Sequence, residues 1–167
     1  MIAGDGFIHV KQILIVGEKD ASSYDGSYFT PAEPHTDEEA RRLLEEARVR
    51  YLAGADFDQL VASLGQSLYM IANPEGYYLC HGMWDDTNEQ AAFSLVENEI
   101  SQVVESEQGF SLFLRCEKDD AYIDAHLDEI SESYAQAVFG LALEEKSASM
   151  QVETTELYDS ISIRDLT

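Results

Sequence analysis

Few residues of this 167-residue chain have the types and spacing of a conventional catalytic or metal site. The four histidines are too scattered to form a metal motif from local sequence. They are His9, His35, His81 and His126. The acidic pairs Asp85–Asp86 and Glu144–Glu145 are typical of solvated faces rather than of acid/base pairs. Because no glycine-rich phosphate loop or Ser/His/Asp pattern is present either, we expect no metal ion and no cofactor.

The two cysteines, Cys80 and Cys116, offer little further chemistry. Two are too few for a disulfide scaffold, and their spacing does not match a metal motif. We interpret each as a small apolar packing residue.

The charge of the chain restricts its partners. It carries 33 acidic and 10 basic residues, a net charge of −23. Such a charge repels nucleic-acid phosphates and anionic lipids, so we expect neither as a partner. No apolar run reaches the roughly 18 residues of a membrane span, and the first ten residues have no signal-peptide pattern. The chain is therefore either cytoplasmic or a piece of an exported protein.

The elements that would position a site begin with a strand at Phe7–Val16, which is rich in Ile and Val. Gln12 interrupts one apolar face of this strand. The following segment, Gly17–Pro34, has the composition of a loop. Thr36 and Glu39 form a capping box that opens a first helix, for which Gly54 supplies the stop.

Further capping signals place a second helix after Asp56 and a later one at Thr87, with Gln90 at the box position. The intervening stretch, 66–75, reads as irregular, and a short strand is expected at Tyr77–Cys80. Two more strands are expected, and they are Ser101–Val104 and Gly109–Cys116, joined by the turn Glu105–Gln108.

A heptad-like stripe then predicts one long helix from Asp120 to Ser147. The stripe consists of Ile123, Leu127, Ile130, Tyr134, Ala137 and Leu141. We expect it to pack on the chain's own domain, with a docking or dimerising helix as the alternative. The tail from Met150 to Ile163 alternates weakly and is expected to add one strand and a turn.

Two stretches of sequence carry a family resemblance. The piece LLEEARVRYLAGADFDQLVASLG at 43–65 is similar to the "LL..L..G.DF..LA" helices of parvulin-type peptidyl-prolyl isomerases. The piece NPEGYYLCHGMWDDTNEQAAFSLVENEISQVVESEQGFSLFLR at 73–115 resembles the family's glycine-aromatic strand, its "AAF.L" helix and its "GYHII" strand. Four motifs thus occur in the family's order.

The resemblance implies an α+β fold, with a four-stranded antiparallel sheet and surrounding helices, followed by a long C-terminal helix and a short strand. It divides the chain into a parvulin-like domain, 7–118, and an appendage, 119–167. This appendage resembles the segment that follows the isomerase domain in extracytoplasmic foldases of the PrsA and SurA kind. By that likeness, the full-length protein is expected to be extracytoplasmic, membrane-anchored or secreted.

The resemblance also implies where a catalytic site would lie. Rotation about an X-Pro amide has a barrier of about 18–20 kcal/mol, and parvulins are understood to use two histidines on adjacent strands and an Asp or Cys. Gln12 and Ser111 occupy the two histidine positions here, and Ser67 occupies the third. His9 projects from the opposite strand face and cannot replace the histidine at Gln12.

The proline-binding cup is expected to differ as well. The family's cup methionine falls on Trp84 and its cup phenylalanine on Asn88. Trp84 can still stack on a proline ring, whereas Asn88 makes the cup more polar and shallower. We expect bound peptide around Trp84 and Leu79.

Two interpretations of these replacements compete. In one, Gln12, Ser67 and Ser111 form a milder hydrogen-bond network that retains slow isomerisation. In the other, catalysis has been lost and these residues fill space. The simultaneous replacements favour the second, so we expect weak or no isomerase activity in a domain that binds unfolded or proline-containing polypeptide to assist folding. The alternatives are an active but atypical isomerase and a structural module that self-associates through the C-terminal helix.

Overall fold

The computed structural model describes residues 6–17 and 35–150 and has the expected α+β architecture. In chain order the elements are β1 Phe7–Ile15, α1 Asp37–Leu52, α2 Phe57–Leu64, α3 Leu68–Ala72, β2 Tyr77–Cys80, α4 Asp86–Phe93, β3 Val104–Ser106, β4 Gly109–Cys116, α5 Asp120–Ala125 and α6 Leu127–Ala148. The predicted loop at 17–34 lies outside the described residues except for Gly17. The predicted tail strand at 150–163 lies outside them except for Met150.

The strands form one antiparallel sheet in the order β2-β1-β4-β3. The central pair is apolar on both faces because helices cover both sides. On one face Ile13 joins Leu44 of α1 and Leu60 of α2 in the main core. On the other, Val10 packs with Leu79 and with Ala92 of α4. Side chains that interrupt either apolar face are therefore buried as well.

The predicted caps of the first two helices are confirmed. The capping box of Thr36 and Glu39 begins α1, and Asp56 accepts backbone N–H bonds at the start of α2. The cap predicted for α4 at Thr87 is wrong, because Asp85 accepts from the backbone N–H of Asn88 at 3.0 Å and the helix starts two residues earlier. A carboxylate is a stronger acceptor than a hydroxyl at the positive end of a helix.

The stretch at 66–75 is not wholly irregular, because it contains the short helix α3. The Ser67 hydroxyl caps this helix by accepting from the Met70 N–H at 3.3 Å. Just before it, the Gln66 backbone N–H donates to the Leu14 carbonyl at 2.9 Å. The Gln66 side chain accepts from the Val16 N–H at 2.7 Å. The β1 edge that β2 leaves uncovered is satisfied in this way.

The strand predicted at 101–104 is displaced to β3 at 104–106. Ser101 is the reason, because its hydroxyl, not its carbonyl, accepts the Phe113 N–H at 2.9 Å. With a side-chain acceptor at that point, the backbone forms only an isolated bridge between Ile100 and Leu114. The regular ladder is displaced to Val104, opposite Ser111.

The long helix predicted at 120–147 is two helices, separated at His126. His126 has φ −118° and ψ 22°, outside the helical range. Its ring stacks on Tyr122 at 4.0 Å, and its Nδ1 lies 2.9 Å from the Tyr122 carbonyl oxygen. This local side-chain bond competes with regular helix geometry. The apolar stripe has the same spacing on both sides of the break and could not reveal it.

The prediction that the stripe packs on its own domain holds for part of it. Ile123, Ile130 and Ala137 pack against Phe7 and Tyr78 of the sheet. The other three stripe positions stay partly exposed, and they are Leu127, Tyr134 and Leu141. None of the helices in the described part of the chain is long and apolar enough to cross a membrane.

Candidate functional site

Gln12 and Ser111, which the resemblance places at the family's two histidine positions, lie together in the centre of the sheet. Gln12 of β1 is paired with Phe113 of β4, and Ser111 is two residues along, on the same face. The Gln12 Nε2 donates to the Ser111 Oγ at 2.9 Å. Both side chains are buried, with 4% and 0% of their surface exposed.

Ser67, at the third position that the resemblance implies, is linked to this pair through Tyr77. The Tyr77 hydroxyl donates to the Gln12 Oε1 at 3.4 Å and lies 3.2 Å from the Ser67 Oγ. Ser67 is held in place as the cap of α3. The structure therefore brings Gln12, Ser67 and Ser111 into one polar network, and Tyr77 is the connecting residue.

The network has a consistent direction of donation. Met70 N–H donates to Ser67, which leaves the Ser67 hydroxyl proton for Tyr77; Tyr77 in turn donates to Gln12, and Gln12 donates to Ser111. Burial raises the pKa of Tyr77 to about 12, although the Ser67 hydrogen bond opposes the change. The four side chains are thus neutral at physiological pH. They can hold or orient polar groups but supply no charged acid or base.

Tyr77 was not singled out from the sequence, although a signal for it existed. It opens β2 and pairs with Val10, which shares a strand face with Gln12. The glycine-aromatic motif at Gly76–Tyr77 marks the family and also the start of this strand. Pairing that motif with the strand around Gln12 would have placed the phenol beside the network.

The expected cup residues differ in accessibility. Trp84 is half-buried, with its ring edge-on to Tyr77 at 4.9 Å and tilted against Phe113 at 5.3 Å. Leu79 is 1% exposed and belongs to the core beneath Trp84. Of these two expected binding residues, Trp84 therefore reaches the protein surface, whereas Leu79 packs beneath it.

Asn88 is 1% exposed rather than open at a shallow cup. Its Nδ2 donates to the Asp85 Oδ2 at 2.7 Å and to the Ser106 Oγ at 3.0 Å. It thus ties the start of α4 to β3. The Asn88 Oδ1 is buried without a hydrogen-bond partner among the described residues.

The remaining nucleophilic and metal-ligating residues have structural surroundings. His9 lies on the face opposite Gln12, with its two ring nitrogens 2.7 and 2.6 Å from the carbonyl oxygens of Glu117 and Glu75. Burial raises the pKa of the Cys80 and Cys116 thiols, which disfavours the nucleophilic thiolate form. Across residues 6–17 and 35–150, no three potential ligands lie close enough to hold a metal ion.

Comparison with known families explains this arrangement. The family model of the rotamase, or PPIC-type PPIase, domain matches residues 27–118, which is more than half of the chain. The chain belongs to the PPIC-type peptidyl-prolyl isomerase family. The polar network of this PPIC-type domain therefore occupies the centre of an isomerase-family fold. No curated protein matches the sequence.

Solved structures show the same fold. Peptidyl-prolyl isomerase ESS1 from Candida albicans is 22% identical, with a TM-score of 0.55 over 70% of this chain and 66% of its own. TbPIN1 is 18% identical, with a TM-score of 0.56 over 68% of this chain and all of its own. PrsA from Bacillus subtilis is 20% identical, with a TM-score of 0.50 over 92% of this chain. The PPIC-type chain spans only 54% of that PrsA chain.

Proposed function

We propose that this domain binds extended or proline-containing polypeptide to assist folding and has weak or no isomerase activity. The observation that carries the proposal is that Gln12, Ser67, Tyr77 and Ser111 form a closed network, in which the side chains bond to one another rather than to solvent. Gln12, Ser67 and Ser111 are 4%, 5% and 0% exposed, and their side-chain hydrogen bonds are made within the network, apart from the Met70 N–H that Ser67 accepts.

A closed network is a poor catalyst for physical reasons. An isomerase must stabilise the twisted amide more than the planar one. To do so here, a substrate would have to displace internal hydrogen bonds, and leaving a buried partner unsatisfied costs about 1–3 kcal/mol. Trp84 has no such restriction, because part of its ring is open to solvent. Binding is therefore favoured over catalysis.

We also propose that 7–118 is the isomerase-like unit and that 119–167 is an appendage with a chaperone role. The coverage of the solved structures supports this division. ESS1 covers 70% of the chain, whereas PrsA from Bacillus subtilis covers 92%, so the likeness in fold to PrsA includes the C-terminal helices. An extracytoplasmic location for the full-length protein stays a prediction.

The proposal is tested by measuring binding and catalysis on one proline-containing peptide. We expect the peptide to shift the fluorescence of Trp84, which is the single tryptophan of the chain. In exchange spectroscopy we expect isomerisation to stay near the uncatalysed time of tens to hundreds of seconds. Acceleration that disappears in Ser111→Ala would establish the active, atypical isomerase instead. No spectral response and no calorimetric binding at millimolar peptide would reject the binding role.

A second candidate function is self-association through α6. Six large apolar side chains of this helix are exposed, and the most exposed are Phe139 at 69%, Leu143 at 57% and Val138 at 45%. No charged residue occurs between Ser133 and Leu143. An exposed apolar surface of this kind on an otherwise acidic chain is typical of an interaction site.

Light scattering tests this candidate. We expect the mass to rise with protein concentration and with salt, because salt screens the repulsion between two chains of charge −23. Phe139→Glu should keep the protein monomeric. Val49→Glu on α1 is the matched control, since Val49 is 65% exposed and lies on another helix. A wild-type monomer at all concentrations and salts would eliminate self-association.

A further inference from the structure

A groove of about 270 Å³ lies between the sheet edge and the C-terminal helices. Tyr69 of α3 and Tyr77 of β2 line one side, and Tyr122 of α5 and Glu129 of α6 line the other. Trp84 also lines the groove. Because Trp84 and Tyr77 belong to the candidate site as well, this groove is continuous with the candidate site.

A stack of four rings fixes the wall that the C-terminal helices provide. His9, Tyr78, Tyr122 and His126 follow one another with centroid separations of 4.5, 5.0 and 4.0 Å and nearly parallel planes. His9 in turn is held between two backbone carbonyl oxygens. The stack joins the sheet to α5 and α6, so the groove is formed before a ligand arrives. Preorganisation of this kind lowers the ordering cost of binding.

The opposite wall is aromatic and carries hydroxyl groups. Tyr69 is 45% exposed and stacks on Tyr77 with a centroid separation of 4.2 Å. The pKa of Tyr69 is raised, mainly by burial and further by Tyr122 and Glu129. The phenol of Tyr69 therefore lies within electrostatic range of Tyr122 and Glu129 across the groove. Two phenol oxygens and a carboxylate share one aromatic-walled space.

The charge of the groove is one-sided. Among the described residues that line it, Glu129 alone has a carboxylate, and no lysine or arginine is present. The helices that form the wall continue this bias, since 119–150 contains eight acidic residues and one lysine. Aromatic rings, hydroxyl oxygens and a carboxylate together favour a cationic side chain, which stacks on rings and donates hydrogen bonds.

We propose that this groove receives an arginine or lysine side chain of the bound polypeptide, a few residues from the segment held at Trp84. The proposal rests on the proposed polypeptide-binding function and specifies its ligand, because it makes the domain selective for basic segments. The positive charge is recognised by Glu129, and the alkyl stem and guanidinium plane lie against Tyr69. Among the described residues Tyr69 is stacked only on Tyr77, whereas Tyr122 offers its ring edge and hydroxyl group.

The test compares matched peptides by NMR titration, with the Trp84 indole resonance as the reporter. Each peptide carries a proline and, two or three residues to either side, an arginine or its uncharged isostere citrulline. We expect the arginine peptide to bind about 2- to 5-fold more tightly, the range for an exposed ion pair. This preference should fall in about 0.5 M salt, where the screening length is only a few ångströms.

Two variants locate the source of the preference. Glu129→Gln should bring the arginine-to-citrulline ratio close to one while citrulline-peptide binding is retained. Asp128→Asn is the matched control, because Asp128 is also exposed at the start of α6 but does not line the groove. It removes the same charge and should keep the preference.

The outcomes separate the two proposals. Equal binding of arginine and citrulline peptides on both sides of the proline would overturn the basic-segment inference and leave the binding function standing. A preference that survives Glu129→Gln, or that Asp128→Asn removes equally, would overturn the assignment to this groove. Failure of every peptide to bind would overturn the proposed function, and the inference with it.

Discussion

Replacing Ser111 by alanine is expected to lower the free energy of unfolding by about 1–3 kcal/mol, the usual cost of leaving a buried polar partner unsatisfied. Ser111 is 0% exposed, and it accepts the Gln12 Nε2 hydrogen bond at 2.9 Å. Alanine fits the space but offers no acceptor, and water cannot easily replace the hydroxyl in the centre of the sheet. Urea unfolding measured by circular dichroism gives the change directly.

The matched control is Ser63→Ala on the surface of α2. The Ser63 hydroxyl is exposed and bonds only weakly to the Leu60 carbonyl of its own helix, at 3.2 Å. Alanine is the better helix former, so this variant should be neutral or slightly more stable. If Ser111→Ala costs no more than Ser63→Ala, the Gln12–Ser111 bond does not hold the sheet centre together.

Replacing three of the four network side chains together should cost less stability than the sum of the three single replacements. In the combined variant Gln12→Met, Tyr77→Phe and Ser111→Ala, apolar groups of similar shape replace the bonded partners together. Such replacement is often close to neutral, and the Ser67 hydroxyl is the one network donor that loses its partner, Tyr77. Additive losses would mean instead that each residue stabilises the fold by packing alone.

The sequence predicts the fold correctly where a local signal, such as a helix cap or an apolar run, specifies an element. The capping box at Thr36 and the apolar runs of β1 and β4 specify their own elements, and the structure has them as predicted. The errors occur where a side chain overrides a local rule. The Ser101 hydroxyl takes a ladder bond of Phe113, and His126 interrupts a helix whose apolar spacing continues unbroken. Neither event changes the pattern of apolar and polar residues.

The candidate site followed from the sequence only in outline. Two-residue periodicity places Gln12 on one strand face, and the family likeness places Ser111 beside it; the structure brings the two into contact. The link through Tyr77 depends on the register between β1 and β2, for which the glycine-aromatic motif at Gly76–Tyr77 is the one signal in the sequence. The burial of Asn88 depends on its hydrogen bonds to Asp85 and Ser106. Ser106 lies 18 residues further along the sequence. Contacts at that separation are set by packing and not by a motif.

The largest loss of stability is expected from Gly76→Ala, at more than about 3 kcal/mol, because left-handed strain of about 1–3 kcal/mol adds to a backbone clash. Gly76 has φ +97°, and a Cβ there would lie 2.6 Å from the Val10 carbonyl oxygen and 3.0 Å from the Lys11 Cγ. The lysine stem can move, but the Val10 carbonyl belongs to the central strand. Relief would require β2 to separate from β1, and that movement would carry Tyr77 away from Gln12.

A glycine-to-alanine substitution in α6 should raise the free energy of unfolding instead of lowering it. Gly140→Ala is therefore the control. A Cβ at Gly140 meets nothing within 4 Å, and the residue is inside a helix. Alanine there should stabilise the protein by about 0.5–1 kcal/mol, because glycine loses more backbone entropy on folding. Thermal and urea unfolding of both variants measure whether each substitution lowers or raises the stability of the protein. A Gly76→Ala protein as stable as the wild type would show that the turn before β2 can relax and that the position of Tyr77 does not depend on this glycine.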